Sequence, residues 1–313
     1  MTGQLKPFRR YLITLAIIIL GGIAAVGGFN YWTDAYGIFG VNHLGIYASA
    51  DRESKAQAYQ KGDFNAVIMG NSKAAMIPAA ALNKYDFFSA TFGGAMPEEL
   101  YYFADRYVDH GEVAIVLLDF WSFRDEFPIK EDPFAPPTLT ETLDKLFSIN
   151  TLDESIKTLR RNIQGEPPAF SPDGSFIAHR WIISKSTPND ILAQREFNEH
   201  ARWFADFSIS PDRMTYITRL AEYLRGRGIW TVAVLAPMHE HSLELMEGTP
   251  AAEQLEEWKA RIEDIFPTTV DLIDSQYSAP ENFFPADPTH FTPKAGVKMI
   301  NDSVLPVKDA PLK

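Results

Sequence analysis

Residues Tyr11 to Phe29 carry no charge and are almost all apolar or glycine. At 1.5 Å per residue these roughly 19 residues make a helix about 29 Å long, close to the hydrocarbon thickness of a bilayer. Such a run must enter lipid or disappear into a core before the rest can fold. Lys6, Arg9 and Arg10 precede it, and no Lys or Arg follows until Arg52. That asymmetry predicts a cytoplasmic tail over 1–10, a transmembrane anchor over 11–29 and a translocated remainder. Tyr31 and Trp32 stand where interfacial aromatics belong. A cleaved signal peptide ending near Ala25-Val26-Gly27 is the alternative, and the length of the run argues against it. Clustered glycines and a one-sided basic flank argue against a core helix.

The rest of the chain is long enough, at about 280 residues, for one large domain or a domain with an insertion. The formal net charge is −12, and the first 29 residues hold three basic and no acidic side chains, which leaves −15 for the remainder. A surface of that sign repels nucleic acid, and it repels anionic lipid away from the anchor. The chain has no cysteine. Disulfides, a cysteine nucleophile and thiolate metal sites are therefore excluded.

Residues 30–60 read as a juxtamembrane connector, with a turn at Asp34-Ala35-Tyr36-Gly37 and a charged, helix-compatible stretch over 51–60. Residues 61–313 then alternate apolar strands with helices. Strands are expected at Asn65–Met69, Phe87–Thr91, Glu112–Leu118, Ile229–Leu235 and Thr269–Ile273. Helices are expected at Lys73–Leu82 (with Pro78 as a blemish), Pro97–Val108, Pro211–Arg227, Gln254–Ile265 and Pro293–Ile300. Uninterrupted apolar strands such as Glu112–Leu118 suit a buried parallel sheet. The alternation predicts an α/β fold with helices on both faces and a site at the carboxyl ends of the strands.

Residues 121–210 break the alternation. They contain Pro136-Pro137, two helical stretches near 139–148 and 152–163, Pro167-Pro168 and a turn at Ser171-Pro172-Asp173-Gly174. Aromatics recur at Phe170, Phe176, Trp181, Phe197, Trp203, Phe204 and Phe207. The segment reads as an insertion capping the carboxyl edge of the sheet; a packed satellite of helices without substrate contact is the competing reading.

Two short segments carry the chemistry. Met69-Gly70-Asn71-Ser72 sets a serine just past a strand, and Asp287-Pro288-Thr289-His290, expected on a loop leading into the Pro293 helix, sets a carboxylate and an imidazole three residues apart. A serine hydroxyl needs a base within hydrogen-bond reach and donors for the oxyanion. His290 is the candidate base and Asp287 the group that orients it. The Ser72 backbone N–H and one from Gly93 or Gly94 are candidate donors. An ordinary helix cap is the plainer role for Ser72. His239-Glu240-His241 invites a metal reading, but no third ligand is obvious, and His239 fits better as a pocket residue beyond the fourth strand.

At these segments the chain resembles the SGNH (GDSL-like) hydrolase superfamily. Gly70-Asn71-Ser72 is similar to its first block, Gly94 to the glycine of its second, and Asp287-Pro288-Thr289-His290 to its Asp-x-x-His block. With the anchor and Asp34-Ala35-Tyr36-Gly37-Ile38-Phe39, the chain resembles membrane-anchored members of the cell envelope. Those include esterases, O-acetyltransferases of exported polysaccharides and proteins supporting D-alanylation of teichoic acids. The resemblance implies a flavodoxin-like three-layer sandwich with a parallel five-stranded sheet. It implies Ser72 as nucleophile, His290 as base, Asp287 as its orienter, and Ser72 and Gly94 amides in the oxyanion hole. It also implies a bacterial inner or plasma membrane protein with its domain on the periplasmic or extracellular side, acting on an acyl ester or polysaccharide without a cofactor. Envelope proteins are the implied partners.

The third block departs from the pattern. Where the superfamily supplies an asparagine donor, this chain reads Leu118-Asp119-Phe120-Trp121, and an ionised Asp119 cannot donate. Losing such a donor costs roughly 100- to 1000-fold in turnover. Asn71 is a neighbouring substitute, and Asp119 is left as an orienting or substrate-binding group. Trp121 and Trp203 are candidate sugar platforms, although cap aromatics more often pack in a core. The expected activity is that of an esterase or O-acyltransferase. A weakly active or inactive domain that binds or assembles envelope polysaccharide machinery is the second reading.

Overall fold

The computed structural model describes residues 5–48, 52–168, 170–176 and 187–309. In chain order the elements are α1 (Leu5–Thr33), α2 (Arg52–Lys61), β1 (Ala66–Gly70), β2 (Phe87–Thr91), α3 (Pro97–Tyr107) and β3 (Val113–Leu118). Then come α4 (Leu139–Phe147), α5 (Ile149–Ile163), α6 (Asn189–Ala205), α7 (Pro211–Gly226), β4 (Trp230–Leu235) and α8 (Glu240–Met246). The chain continues through α9 (Pro250–Ile265), β5 (Thr269–Asp271), β6 (Phe283–Phe284), β7 (Asp287–Phe291) and α10 (Pro293–Met299). Two compact units result, one from Met1–Ser54 with Ala135–Ala169, the other from Lys55–Phe134 with Phe170–Lys313. The 121–210 stretch is thus shared between them.

The larger unit is α/β. Its five strands are all parallel, in the order β2-β1-β3-β4-β5. Alternate residues serve opposite faces, as the period of a strand requires. Val67, Met69, Phe88, Ala114, Val116 and Ala233 join a core with Leu100 and Phe103 of α3, Ile217 of α7 and Trp258 of α9. Ala66, Ile68, Phe87, Val113, Ile115 and Val232 join a second core with Ala295 and Met299 of α10. β1 and β3, buried at every residue and on both sides, explain the unbroken apolar runs.

Three expectations are corrected. Lys73–Leu82 is not an α-helix: it forms two 3-10 turns, Ala74–Met76 and Ala79–Ala81. Pro78 has no N–H to continue the ladder and forces Ile77 into an extended conformation (φ −98°, ψ 107°). The fifth strand stops at Asp271, whose Oδ1 accepts the Ile273 N–H at 3.0 Å and turns the chain. Asp287–His290 is not a free loop but β7, paired antiparallel with β6.

In the other unit, one helix is long and apolar enough to cross a membrane, over Phe8–Thr33. Its side chains from Phe8 to Ala25 are all exposed. Protein contact begins at Gly27, where a Cβ would meet the Phe147 ring at 2.5 Å, and Asn30 donates to the Leu146 carbonyl at 2.8 Å. The predicted turn after α1 closes on the buried Asp34 carboxylate, which accepts the N–H groups of Ile38, Phe39 and Val41.

Candidate active site

β1 ends at Gly70, where close packing leaves no room for a side chain: a Cβ would meet Ala74 Cβ at 2.6 Å and the Leu117 carbonyl at 2.9 Å. The chain leaves the strand through Asn71, Ser72 and Lys73. Ser72 is half-buried and its two neighbours are buried. The Ser72 hydroxyl donates to His290 Nε2 at 2.9 Å, and His290 Nδ1 meets Asp287 Oδ2 at 2.8 Å. An ionised carboxylate only accepts, so Nδ1 carries the proton and Nε2 is left to accept from serine.

In an ideal strand, residues three apart point to opposite faces. Asp287 and His290 nevertheless meet, because Asp287 Oδ1 accepts the N–H groups of Thr289 and His290, at 3.0 and 3.2 Å, and curls β7 around its own carboxylate. The irregular register at Phe283/Phe284 accommodates that curl.

Gly94 sits past β2 at φ +59°, a conformation that favours glycine, and its carbonyl accepts Lys130 Nζ at 2.8 Å. The backbone N–H groups of Ser72 and Gly94 have no partner among the described residues, and both residues line one cavity of about 240 Å³.

Asp119, expected to stand without a donor function, is paired. Its Oδ1 accepts Lys73 Nζ at 2.9 Å, and its Oδ2 accepts Asn71 Nδ2 at 3.0 Å. Burial pushes the Asp119 carboxyl up, but the Lys73 charge, with hydrogen bonds from Lys73 and Asn71, outweighs it and holds the group below the ordinary carboxylate value. Asn71 Oδ1 accepts the Lys73 N–H at 2.9 Å, so Asn71 braces the turn and Asp119 together. The other ammonium N–H groups of Lys73 have no hydrogen-bond partner among the described residues, and Lys73 lines the cavity.

The cavity wall is largely aromatic. Trp121 packs on Trp203 with ring centroids 5.4 Å apart, and its buried Nε1 has no partner among the described residues. Trp203 and Phe204 come from α6 and line the same space, as do Met238 and His239 beyond β4. Other insertion aromatics are structural: Phe207 stacks on Phe120 at 4.1 Å, and Phe170 and Phe176 bridge one another. Trp181 lies outside the described residues. His239 and His241 both pack on Phe197, but each Nδ1 is already engaged: that of His239 accepts the His241 backbone N–H at 3.1 Å, and that of His241 contacts Glu244 Oε2 at 2.8 Å. No group of three His, Cys, Asp or Glu side chains with metal-ligand proximity occurs among the described residues.

Five cavity residues escape sequence reasoning, Lys73, Glu196, His200, Met238 and Ser242, and Thr289 reads there only as a spacer in its motif. His200 Nε2 hydrogen-bonds Thr289 Oγ1 at 2.9 Å and its Nδ1 hydrogen-bonds Ser242 Oγ at 2.8 Å, and Thr289 Oγ1 faces Glu196 Oε2 at 3.5 Å. Burial pushes the His200 imidazole down to about 4, helped by the Lys73 charge. Burial pushes Glu196 up, and the Asp287 charge adds to it. The aromatic and histidine spacing Phe197, His200, Phe204 (i, i+3, i+7) is the signal that reveals α6. No family model and no curated protein matches the chain.

Proposed function

We propose that this chain is a membrane-anchored serine esterase or O-acyltransferase of the SGNH (GDSL-like) type, working through an acyl-enzyme on an ester of the bacterial cell envelope. The observation that carries the reading is the continuous relay from Ser72 Oγ through His290 to Asp287, at 2.9 and 2.8 Å. Ser72 attacks the ester carbonyl while His290 Nε2 takes its proton. His290 returns that proton to the leaving alkoxide, and water or a sugar hydroxyl then releases the acyl group by the same steps in reverse. Asp287 stabilises the imidazolium formed in between. The free N–H groups of Ser72 and Gly94 supply oxyanion donors. Lys73, held by Asp119, supplies the positive donor that Asp119 itself cannot.

The strand order β2-β1-β3-β4-β5 supports a flavodoxin-like sandwich, with the site outside the strand carboxyl ends. α6 acts as the cap, since Trp203 and Phe204 wall the cavity. Exclusion of water by Trp121, Trp203 and Phe204 around a bound acceptor would favour transfer over hydrolysis. The second reading, a binding module of reduced activity, draws on the replacement of the asparagine donor by Asp119.

The test is covalent labelling of the full-length protein in detergent with a fluorophosphonate probe. Wild type is expected to label, and Ser72→Ala and His290→Ala are expected not to. A folded wild type that reacts with neither this probe nor a smaller sulfonyl fluoride would remove the enzyme reading.

A further inference from the structure

α5 is built inside out for a helix in water. Its buried face carries Thr151, Ser155 and Thr158, all at most 4 % exposed, while Ile149, Ile156 and Ile163 stand 80, 44 and 77 % exposed. The hydroxyls of Ser155 and Thr158 are buried without a partner among the described residues. A third face holds Asp153, Glu154 and Lys157, joined by ion pairs of 2.7 and 2.8 Å. α4, just before it, buries none of its residues and exposes Leu139, Leu143 and Phe147. Both helices pack on α1. Small polar residues facing a neighbouring helix and large apolar ones facing outward is the arrangement of proteins in lipid.

We propose that α4 and α5 form an interfacial membrane anchor: they lie along the bilayer surface at the C-terminal end of α1, with their Leu, Phe and Ile side chains in the acyl region. This rests on α1 crossing the membrane. Depth singles out lipid as the occupant. Starting at Tyr11, past Arg9 and Arg10, about 19 residues of helix cross the hydrocarbon. That count ends at Phe29, beside Asn30, whose side chain donates to the Leu146 carbonyl of α4. The exposed apolar side of α1 is thus continued by that of α4 and α5 where the hydrocarbon ends. Attraction is apolar rather than electrostatic, since Glu141, Asp144, Asp153 and Glu154 balance Lys145, Lys157, Arg160 and Arg161. Docking therefore needs no anionic lipid and resists salt.

The absence of cysteine gives a clean background for the test. Single cysteines replace Ile149, Ile156, Asp153 and Lys157, with Leu20→Cys as an α1 reference, each carrying an environment-sensitive fluorophore. Each full-length protein is placed singly in phosphatidylcholine nanodiscs, with nitroxide on the lipid acyl chains as one quencher and aqueous iodide as the other. Interfacial side chains sit roughly 5–10 Å into the headgroup and acyl boundary, so acyl-chain nitroxide should remove about half or more of the emission at positions 149 and 156. Positions 153 and 157 should respond to iodide instead, and neither pattern should change in high salt. Iodide quenching without nitroxide quenching at 149 and 156 would overturn the proposal, because that face would be in water. Quenching by neither would also overturn it, because protein would cover the face. Failure of nitroxide to quench position 20 would instead overturn the membrane span beneath it.

Discussion

Replacing Lys73 by methionine removes the cation that holds Asp119. The two charges are 2.9 Å apart with side chains 8 and 7 % exposed. At an effective dielectric of about 20 their attraction is about 6 kcal/mol, and desolvation of both groups offsets most of it. Removing one partner leaves the other charge buried and unpaired, at a cost of about 3–5 kcal/mol. Lys73→Met should therefore lower the melting temperature by roughly 10 °C. Asp119→Asn should cost a similar amount, because the ammonium is then stranded. The double variant strands nothing and should regain most of the loss, so the two single costs should be strongly non-additive in a double-mutant cycle. The pH dependence follows the same pair. Asp119 is held below its ordinary value, so its contribution is complete above that value and disappears as pH falls through the folded one. Lys73→Met should accordingly lose less stability in acid than wild type. Thermal unfolding in detergent reads the stability, and the rate of fluorophosphonate labelling reads the chemistry. Labelling should stay about 100- to 1000-fold slow in Lys73→Met and in the double variant alike. A double variant that regains its labelling rate along with its stability would refute a role for Lys73 in oxyanion stabilisation. An unchanged melting temperature in Lys73→Met would refute the ion-pair argument itself.

Two further outcomes follow from the site's surroundings. His200 is held neutral, its value pushed down to about 4 from 6.5, so its contribution is complete above pH 6.5 and disappears as pH falls toward 4. The loss amounts to about 3 kcal/mol; a melting temperature that falls across that window in wild type and much less in His200→Gln is expected, and parallel profiles would count against it. Gly70→Ala should cost about 1–3 kcal/mol by overpacking against Ala74 and Leu117 and should displace Ser72, so that labelling falls well beyond the change in stability; a stable variant with normal labelling would show that the turn has slack.

Where sequence was informative, one physical term dominated. Val113–Leu118 is apolar at every position and has few ways to be buried except in the middle of a parallel sheet. The proximity of Ser72, His290 and Asp287 was legible because serine catalysis would need them together and their order suited the alternation. Lys73 was not, because a lysine after a serine reads as a solvated side chain until Asp119 is seen to face it. The 3-10 turns after Ser72 were hidden by apolar spacing that a helix would share, and Pro78 decided between them. α6 was not anticipated within the 121–210 insertion, although its aromatics keep helical intervals. The inverted face of α5 escaped because periodicity reveals an apolar stripe without saying whether the stripe turns toward protein.

The contact between Ser72 and His290 spans 218 positions of sequence. His290 lies just before α10, which completes the second core with Ala295 and Met299, and both stand far downstream of Ser72. Such a long-range contact forms only after the intervening chain has been ordered. A chain in which the segment between them is still unfolded holds Ser72 with no imidazole beside it. On the reading proposed above, reactivity of Ser72 would therefore report on folding of the whole α/β unit rather than of the β1 turn alone.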